Sequence, residues 1–492
     1  MFEKIKLDRP PVLNNKSTAV AATITVTSGL VRFLASFVTA VCLGRLLSAD
    51  EFGVVNIVLP FITFFLIFTD SGIGNYILQK DYISKKLVDA CFFLSFIITI
   101  FTAALFFISG SWLADIYSDN RLIPITKILS IAILLTLFTS IPNAIVKKYN
   151  KQIFFSISEI IASFSAAIVP IYLAFNNFGY YSLLAIPITR TLVHGVVVML
   201  LVRIFPNLRN VAFEEVNTIF KFSRSLMVYQ LINTLIKNID KILIGLTSST
   251  VILGYYSMAV SIMYLPAIQI LSPVAGAVIP LLSKHKENTE LFISSLENTL
   301  SRLISIISPL MIFASFYSRD LILIILGEAW VESYIYLQVL CFASILYIYE
   351  SVITWAVIAK GKATLLSHWI GVSLLLYCSI VGISSIYGPE YIAYSMVLSS
   401  LVNHLLFVNF VKRYLNLSFF HYIELFLRTL LNIGAIYITL LILDLLLDYR
   451  FDEPQFIFLV FIYALLCISF YKNIVGVSLL NDINVLRSKK RI

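Results

Sequence analysis

The chain has 492 residues, 59% of them hydrophobic and 13% charged, with 36 Lys and Arg against 27 Asp and Glu and a mean hydropathy of +0.93. A soluble core cannot enclose that share of apolar surface, so composition excludes a soluble globular protein and points to an integral membrane protein. The formal net charge of +9 does not by itself indicate nucleic acid, because basic residues must first be placed by side of the membrane.

About 20 apolar residues cross the hydrocarbon of a bilayer. Fourteen apolar segments separated by short polar turns are predicted to be transmembrane helices: 18–43, 53–78, 87–110, 122–146, 153–175, 180–203, 222–246, 252–280, 291–316, 335–358, 363–386, 390–411, 424–447 and 455–471. The first is too long for a cleavable signal and lacks a cleavage site, so the N-terminus is expected to stay on the protein, and no soluble domain is expected. Cys42, Cys91, Cys341, Cys378 and Cys467 lie in or beside these segments without a CxxC or Cys/His cluster, which predicts packing residues, no metal, no disulfide and no cofactor.

Basic residues cluster in the N-terminal arm (Lys4, Lys6, Arg9, Lys16) and in alternate turns, among them Lys80/Lys85/Lys86, Lys147/Lys148/Lys151, Lys360/Lys362 and Lys412/Arg413, and again in the tail. The intervening turns carry Arg45, Arg121, Arg319 and Arg450 among many acids, including Asp50, Asp119 and Glu328. The positive-inside rule then predicts both termini in the cytoplasm, in line with an even number of spans. Most of these lysines and arginines are read as topology signals that also meet anionic headgroups.

A repeat organises the spans. Gly44 and Gly53 bracket a short polar connection, and Gly245 and Gly254 bracket another with the same spacing of nine, 201 positions later. Ala144–Lys148 is echoed by 356–360, and Phe178-Gly179 by Tyr387-Gly388. The predicted fold is therefore all-α: two six-helix lobes related by a pseudo-twofold axis along the membrane normal, plus two C-terminal helices. The boundaries are 1–204 for the N-terminal lobe, 205–221 for a linker, 222–413 for the C-terminal lobe, 414–473 for helices 13 and 14, and 474–492 for a basic cytoplasmic tail. In the linker, Ala212, Phe213, Val216, Ile219 and Phe220 share one helical face, which predicts an amphipathic helix lying in the interface.

Gly44–Gly53 with its Arg45 and Asp50, Phe68–Asn75 followed by Ile77–Lys80, Asn238–Gly245, and Leu326–Trp330 with Leu337-Gln338 together resemble the Wzx-type polysaccharide flippases, most nearly the branch of colanic acid and teichuronic acid exporters. The resemblance covers about residues 15–475 and extends to a superfamily shared with multidrug extruders and peptidoglycan-precursor flippases. It implies a two-lobed transporter, not an enzyme, working by alternating access. The substrate it implies is an oligosaccharide on undecaprenyl diphosphate, moved from the cytoplasmic to the outer leaflet for cell-surface polysaccharide synthesis. Polysaccharide polymerase and export proteins become candidate partners, the protein is expected as a monomer, and nucleic acid is not expected.

The residues able to do chemistry are those that the bilayer penalises by about 2.5–3.5 kcal/mol for a charge at a helix centre. They include Arg32, Asp70, Lys127, Glu159, Arg190, Lys237, Asp240, Lys241, Arg302 and Glu350. Lys237, Asp240 and Lys241 lie within about one turn of each other, which predicts a local charge network. Arg32, Arg190 and Arg302 have no carboxylate within a turn of sequence, so each needs a partner on another helix or an anion in a cavity. A planar guanidinium grips a diphosphate bidentately where lysine acts as a point charge, which makes these three the candidate diphosphate ligands. Peptidoglycan-precursor flippases carry cavity arginines on their first helices, so the resemblance supports this role for Arg32. The alternative for Arg32 is a salt bridge to Glu159 or Asp70. Asp70, Glu159, Glu350 and His194 are candidates for ion coupling, the glutamates if unpaired and the histidine because it titrates near physiological pH. A cation extruder of the same superfamily is disfavoured because the unpaired mid-span charges are basic. A glycosyltransferase is disfavoured by the absence of a nucleotide-sugar domain and a DxD motif.

Overall fold

The computed structural model describes residues 15–70, 72–80, 83–149, 151–204 and 213–447, and all regular structure among them is helical. The first half of the chain forms α1 (Asn15–Leu46), α2 (Ala49–Asp70), α3 (Ile73–Gln79), α4 (Lys85–Tyr117), α5 (Leu122–Leu135), α6 (Ser140–Lys148), α7 (Gln152–Phe175) and α8 (Tyr181–Val202). The second forms α9 (Phe213–Thr247), α10 (Thr250–Lys284), α11 (Thr289–Phe316), α12 (Ser318–Ile325), α13 (Ser333–Ala359), α14 (Thr364–Ser384), α15 (Pro389–Leu415) and α16 (Phe419–Leu447). Among the described residues, eleven helical stretches are long and apolar enough to cross a membrane. Within their described residues, α9 shows no such stretch and α10 shows two shorter ones, Thr250–Tyr264 and Pro273–Lys284. The fourteenth expected segment, 455–471, and the basic tail lie outside the described residues, as does the part of 205–221 up to residue 212.

Two expected spans are broken rather than straight. The second stops at Asp70 and restarts at Ile73 through Gly72, whose φ of 93° is open to glycine and strained for other residues. The fourth is interrupted by a 3-10 turn over Thr136–Phe138 ahead of α6, which starts two residues before Pro142. The two short helices that result, α3 and α6, pack on each other. The part of the linker that is described is helical and continues without a break into α9. Its apolar residues Val216 and Ile219 pack on protein: Ile219 is buried in one core cluster with Val88, Cys91, Ile145, Phe154 and Val198.

The chain divides into two compact units. One gathers Met1–Met258, Ile325–Glu332 and Tyr377–Ile392; the other gathers Ala259–Ile324, Ser333–Leu376 and Ala393–Ile492. In the first, α7 packs on α8 and α1, α4 on α5, and α2 on α9. The duplicated glycines meet there. A Cβ on Gly53 would fall on the carbonyl of Thr250, and a Cβ on Gly254 would fall on the carbonyl of Ala49. Positions 49 and 250, like 53 and 254, are 201 apart, so the N-terminal turns of α2 and α10 cross by one contact used twice, as a pseudo-twofold axis demands. Only glycine lets two backbones come this close.

The same end of the first unit is closed by side chains. Arg121 pairs with Asp50 at 2.5 Å and with Asp119 at 2.8 Å, and Thr250 donates its hydroxyl hydrogen to Asp50. Hydrogen bonds to Asp50 and Asp119 push the Arg121 guanidinium further up from its already high range, so it stays charged. Trp330, fully buried, donates its indole N–H to the carbonyl of Gly44 at 2.5 Å, satisfying one of the unpaired carbonyls at the end of α1. Its ring meets Phe52 edge-on at 5.1 Å.

In the second unit, α11 packs on α13 and α16. Asn403, buried on α15, ties three helices together. Its carbonyl oxygen accepts from Trp369 Nε1 at 3.1 Å and Ser373 Oγ at 2.7 Å, and its amide donates to Glu350 of α13 at 3.3 Å. An apolar cavity of about 200 Å³ in the same unit is lined by Tyr349, Leu401, Phe426 and Ile433 among others.

Candidate functional site

Three helices of the first unit bring charged groups into one place. Glu159 projects from α7, Arg32 from α1 and Arg190 from α8, and α7 packs directly on both of the others. Arg190 Nη2 donates to Glu159 Oε2 at 2.8 Å and Arg32 Nη1 reaches the same oxygen at 3.4 Å. Arg32 is further steered by its Nε, which donates to the backbone carbonyl of Ser28 one turn back at 3.4 Å, while Ser28 meets Ser156 across the α1–α7 contact at 3.2 Å. Glu159 is the most enclosed member, with side-chain exposures of 10% for Glu159, 27% for Arg32 and 45% for Arg190.

His194, one turn beyond Arg190 on α8, is buried and completes the cluster. Its Nε2 lies 3.0 Å from Asn143 Oδ1 of α6. Its Nδ1 lies 3.3 Å from Glu159 Oε1 but without the alignment of a hydrogen bond. A proton on Nδ1 would convert this approach into a charge-assisted pair.

Among the described residues, the two guanidiniums and one carboxylate of this cluster leave one net positive charge inside a bundle of apolar helices, before any proton on His194 is counted. Such a charge needs a mobile counter-ion, and the half-exposed arginines are able to bind one. Arg190 also lines a cavity of about 160 Å³ together with Ser36 and Thr39 of α1 and Ser163 of α7. The chemistry available is binding of an anion with several acceptor oxygens, adjacent to a small, hydroxyl-bearing space.

The structure thus brings Arg32, Arg190, Glu159 and His194 together. The α7–α8 and α1–α7 contacts do this, across sequence separations no helical period relates. The pairing of Arg32 with Glu159 is the alternative foreseen from sequence, and Glu159 is accordingly not the unpaired carboxylate that a simple proton carrier would be. Asn143, Ser28 and Ser156 were not singled out by sequence. All three are small polar residues in apolar helices, a signal too common to select them. Arg302 belongs to the second unit, where it is exposed on α11. Glu350 lies in that unit also, hydrogen-bonded to Asn403. The side chain of Asp70 lies outside the described residues. In the expected Lys237, Asp240 and Lys241 network, Asp240 is buried and accepts from Tyr256 Oη at 2.6 Å, whereas Lys237 is exposed.

A protein family described as "Polysaccharide biosynthesis protein" matches residues 42–335. The chain is 25% identical over 339 residues to the teichuronic acid biosynthesis protein TuaB of Bacillus subtilis, a match covering 68% of this chain and 70% of that protein. It is 23% identical over 345 residues to the lipopolysaccharide biosynthesis protein WzxC of Escherichia coli K12, covering 67% of this chain and 66% of that protein. Among solved structures it is similar to the lipid II flippase MurJ in an inward closed conformation, with a TM-score of 0.74 at 14% identity over 92% of this chain and 98% of that one. At that identity the likeness shows a shared transporter fold.

Proposed function

Because the chain belongs to the polysaccharide biosynthesis protein family, we propose that it is a flippase. It moves an oligosaccharide carried on undecaprenyl diphosphate from the cytoplasmic to the outer leaflet of the bacterial inner membrane, with both of its own termini in the cytoplasm. The observation that carries this reading is the excess of one positive charge held by Arg32, Arg190 and Glu159 within membrane-spanning helices. A lipid diphosphate offers about two negative charges and the acceptor oxygens to occupy it.

The diphosphate takes over Arg32 and Arg190 from Glu159, the glycan follows, and the prenyl tail stays in lipid. Glu159 acts as the resident counter-ion that holds the arginines in place when no substrate is bound and competes for them when it is. His194 is the point at which a proton strengthens the substrate's side of that competition, since His194 bearing a proton attracts Glu159. Outward movement of an anion across an inside-negative potential gains about 2.3 kcal/mol per charge per 100 mV, so the potential favours this direction. Arg302 is assigned to the same transport cycle as a separate cation of the second unit.

The reading is tested by reconstitution into liposomes with a fluorescent undecaprenyl-diphosphate oligosaccharide, following its outer-leaflet accessibility. Wild type is expected to translocate it, and Arg32→Ala and Arg190→Ala are expected to stop it at unchanged protein levels. Wild-type liposomes that leave the lipid in place while clearing a cationic dye down a pH gradient would overturn the assignment.

A further inference from the structure

We infer that the cavity beside Arg190 in the first unit is a specificity pocket for the 2-acetamido group of an N-acetylhexosamine bonded directly to the carrier diphosphate. This inference rests on the flippase reading and deepens it.

The cavity continues the charged cluster by one helical turn. Ser163 stands four residues beyond Glu159 on α7 and Ser36 four beyond Arg32 on α1, so each shares a helix face with the charged group before it. Arg190 itself lines the space. From this end the lining runs along α1 to Leu43 and along α8 to Leu183, seven positions in each case, or about 10 Å at the helical rise. Exposure falls over that length. Arg190 and Ser36 are exposed, whereas Ser163, Leu183 and Leu43 are buried. The cavity is therefore a blind pocket, and its mouth adjoins the arginines that hold the diphosphate.

Inside it, two hydroxyls have different capacities. Ser163 is 6% exposed and its hydroxyl makes no hydrogen bond among the described residues, so its hydrogen is available. Thr39, also buried, donates its hydroxyl hydrogen to the carbonyl of Ala35 at 2.7 Å, which leaves its oxygen as an acceptor. The remaining walls are apolar, among them Leu43, Ala166 and Leu183. A secondary amide ending in a methyl group matches this set: its carbonyl accepts from Ser163, its N–H donates to Thr39 and its methyl meets the apolar walls. Apart from Arg190, no described lining residue is charged, so a carboxylate-bearing sugar would be buried there without a partner.

Size and connectivity narrow the ligand further. The volume of about 160 Å³ is below the roughly 300–1,000 Å³ of pockets that enclose drug-sized ligands, so it takes a substituent and the adjoining edge of one ring, not an oligosaccharide. On a pyranose bonded to diphosphate through C1, the substituent next to the diphosphate is the one on C2. Entry of that edge leaves the far side of the ring at the mouth, where the next sugar is attached.

The test measures binding of three probes to the purified full chain in nanodiscs: undecaprenyl diphosphate alone, and the same carrier bearing glucose or N-acetylglucosamine, which differ only at C2. Wild type is expected to bind the N-acetylglucosamine probe about tenfold more tightly than the glucose probe, the worth of one or two good hydrogen bonds. Ser163→Ala should reduce that ratio several-fold, and Ala166→Leu, which fills the pocket, should bring it to near one. Ser163→Ala removes a single oxygen and keeps the test decisive if Ala166→Leu does not fold. Equal wild-type affinity for the two sugar probes overturns the inference. So does a ratio that survives Ser163→Ala, or a loss in either variant that falls equally on all three probes, which would mean that the pocket serves the carrier. Failure of wild type to bind any probe would instead overturn the flippase reading on which it rests.

Discussion

Arg190 meets Glu159 at 2.8 Å across the α7–α8 contact, on the same carboxylate oxygen that Arg32 approaches from α1. One oxygen therefore restrains two cations, and whatever displaces it frees both.

Glu159→Gln removes the counter-ion while keeping the side chain's volume. Affinity for undecaprenyl diphosphate is expected to rise by about tenfold, as one opposing charge is lost, while outward release slows. The folded protein should lose about 1–2 kcal/mol, less than the 3–5 expected of a fully buried pair, because both arginines keep contact with solvent. Equilibrium binding, single-turnover flipping and thermal denaturation separate the three effects.

Arg190→Lys keeps the charge and removes the fork. Translocation is expected to fall about tenfold relative to wild type, with Arg190→Ala lower still, in the liposome assay. Equal activity of Arg190→Lys and wild type would mean that a point charge suffices and that bidentate recognition has no part.

Protonation of His194 sets the direction of a pH effect. A proton on Nδ1 draws Glu159 away from the arginines, so diphosphate affinity should rise on acidification, and this dependence should flatten in His194→Gln. Titration of binding at constant ionic strength, with Arg32, Arg190 and Glu159 intact, reads this directly.

Gly53→Ala and Gly254→Ala each place a methyl group on a backbone carbonyl of the other repeat. Each should destabilise by about 1–3 kcal/mol, and the double variant by clearly less than the sum, because one displacement of α2 from α10 relieves both clashes. Unequal single effects, measured by thermal unfolding, would break the symmetry argument.

Arg121→Gln removes the residue that binds Asp50 and Asp119 together. With Arg121 partly exposed, the stability change should be small, about 0–1 kcal/mol, but the labelling rate of a cysteine placed at Thr250 should increase, since Asp50 loses the partner that holds it there. Added salt should reproduce part of the increase in the wild-type background.

Much of this was readable before any coordinates. Arg32, Arg190 and Glu159 stood out because the bilayer makes each of them expensive, and the recurrence of Gly44 and Gly53 at Gly245 and Gly254 announced a duplication. That Arg190 and Glu159 pair was not readable. They lie on successive antiparallel helices, where the register between helices rather than a period along one of them decides who meets. Nor did the repeat disclose that Gly53 and Gly254 each pack on a backbone carbonyl of the other copy, because self-similarity says two segments are alike, not that they touch. The break at Thr136–Phe138 has no glycine or proline within it, and Pro142 lies beyond it. Trp330 was noticed as part of a motif, but its indole hydrogen bond depends on a carbonyl 286 residues away.

That separation bears on how the protein is made. The end of α1 and the start of α2 leave the ribosome well before their partners, so Gly44 waits for Trp330 and Gly53 waits for Thr250. During synthesis the first helical hairpins therefore insert with a glycine-lined seam and an uncapped carbonyl end, which stay unfilled until most of the chain has been threaded into the bilayer. Nascent chains arrested before residue 250, or between 250 and 330, should differ in protease resistance at the α1–α2 turn, and only those carrying both partners should acquire the full-length pattern.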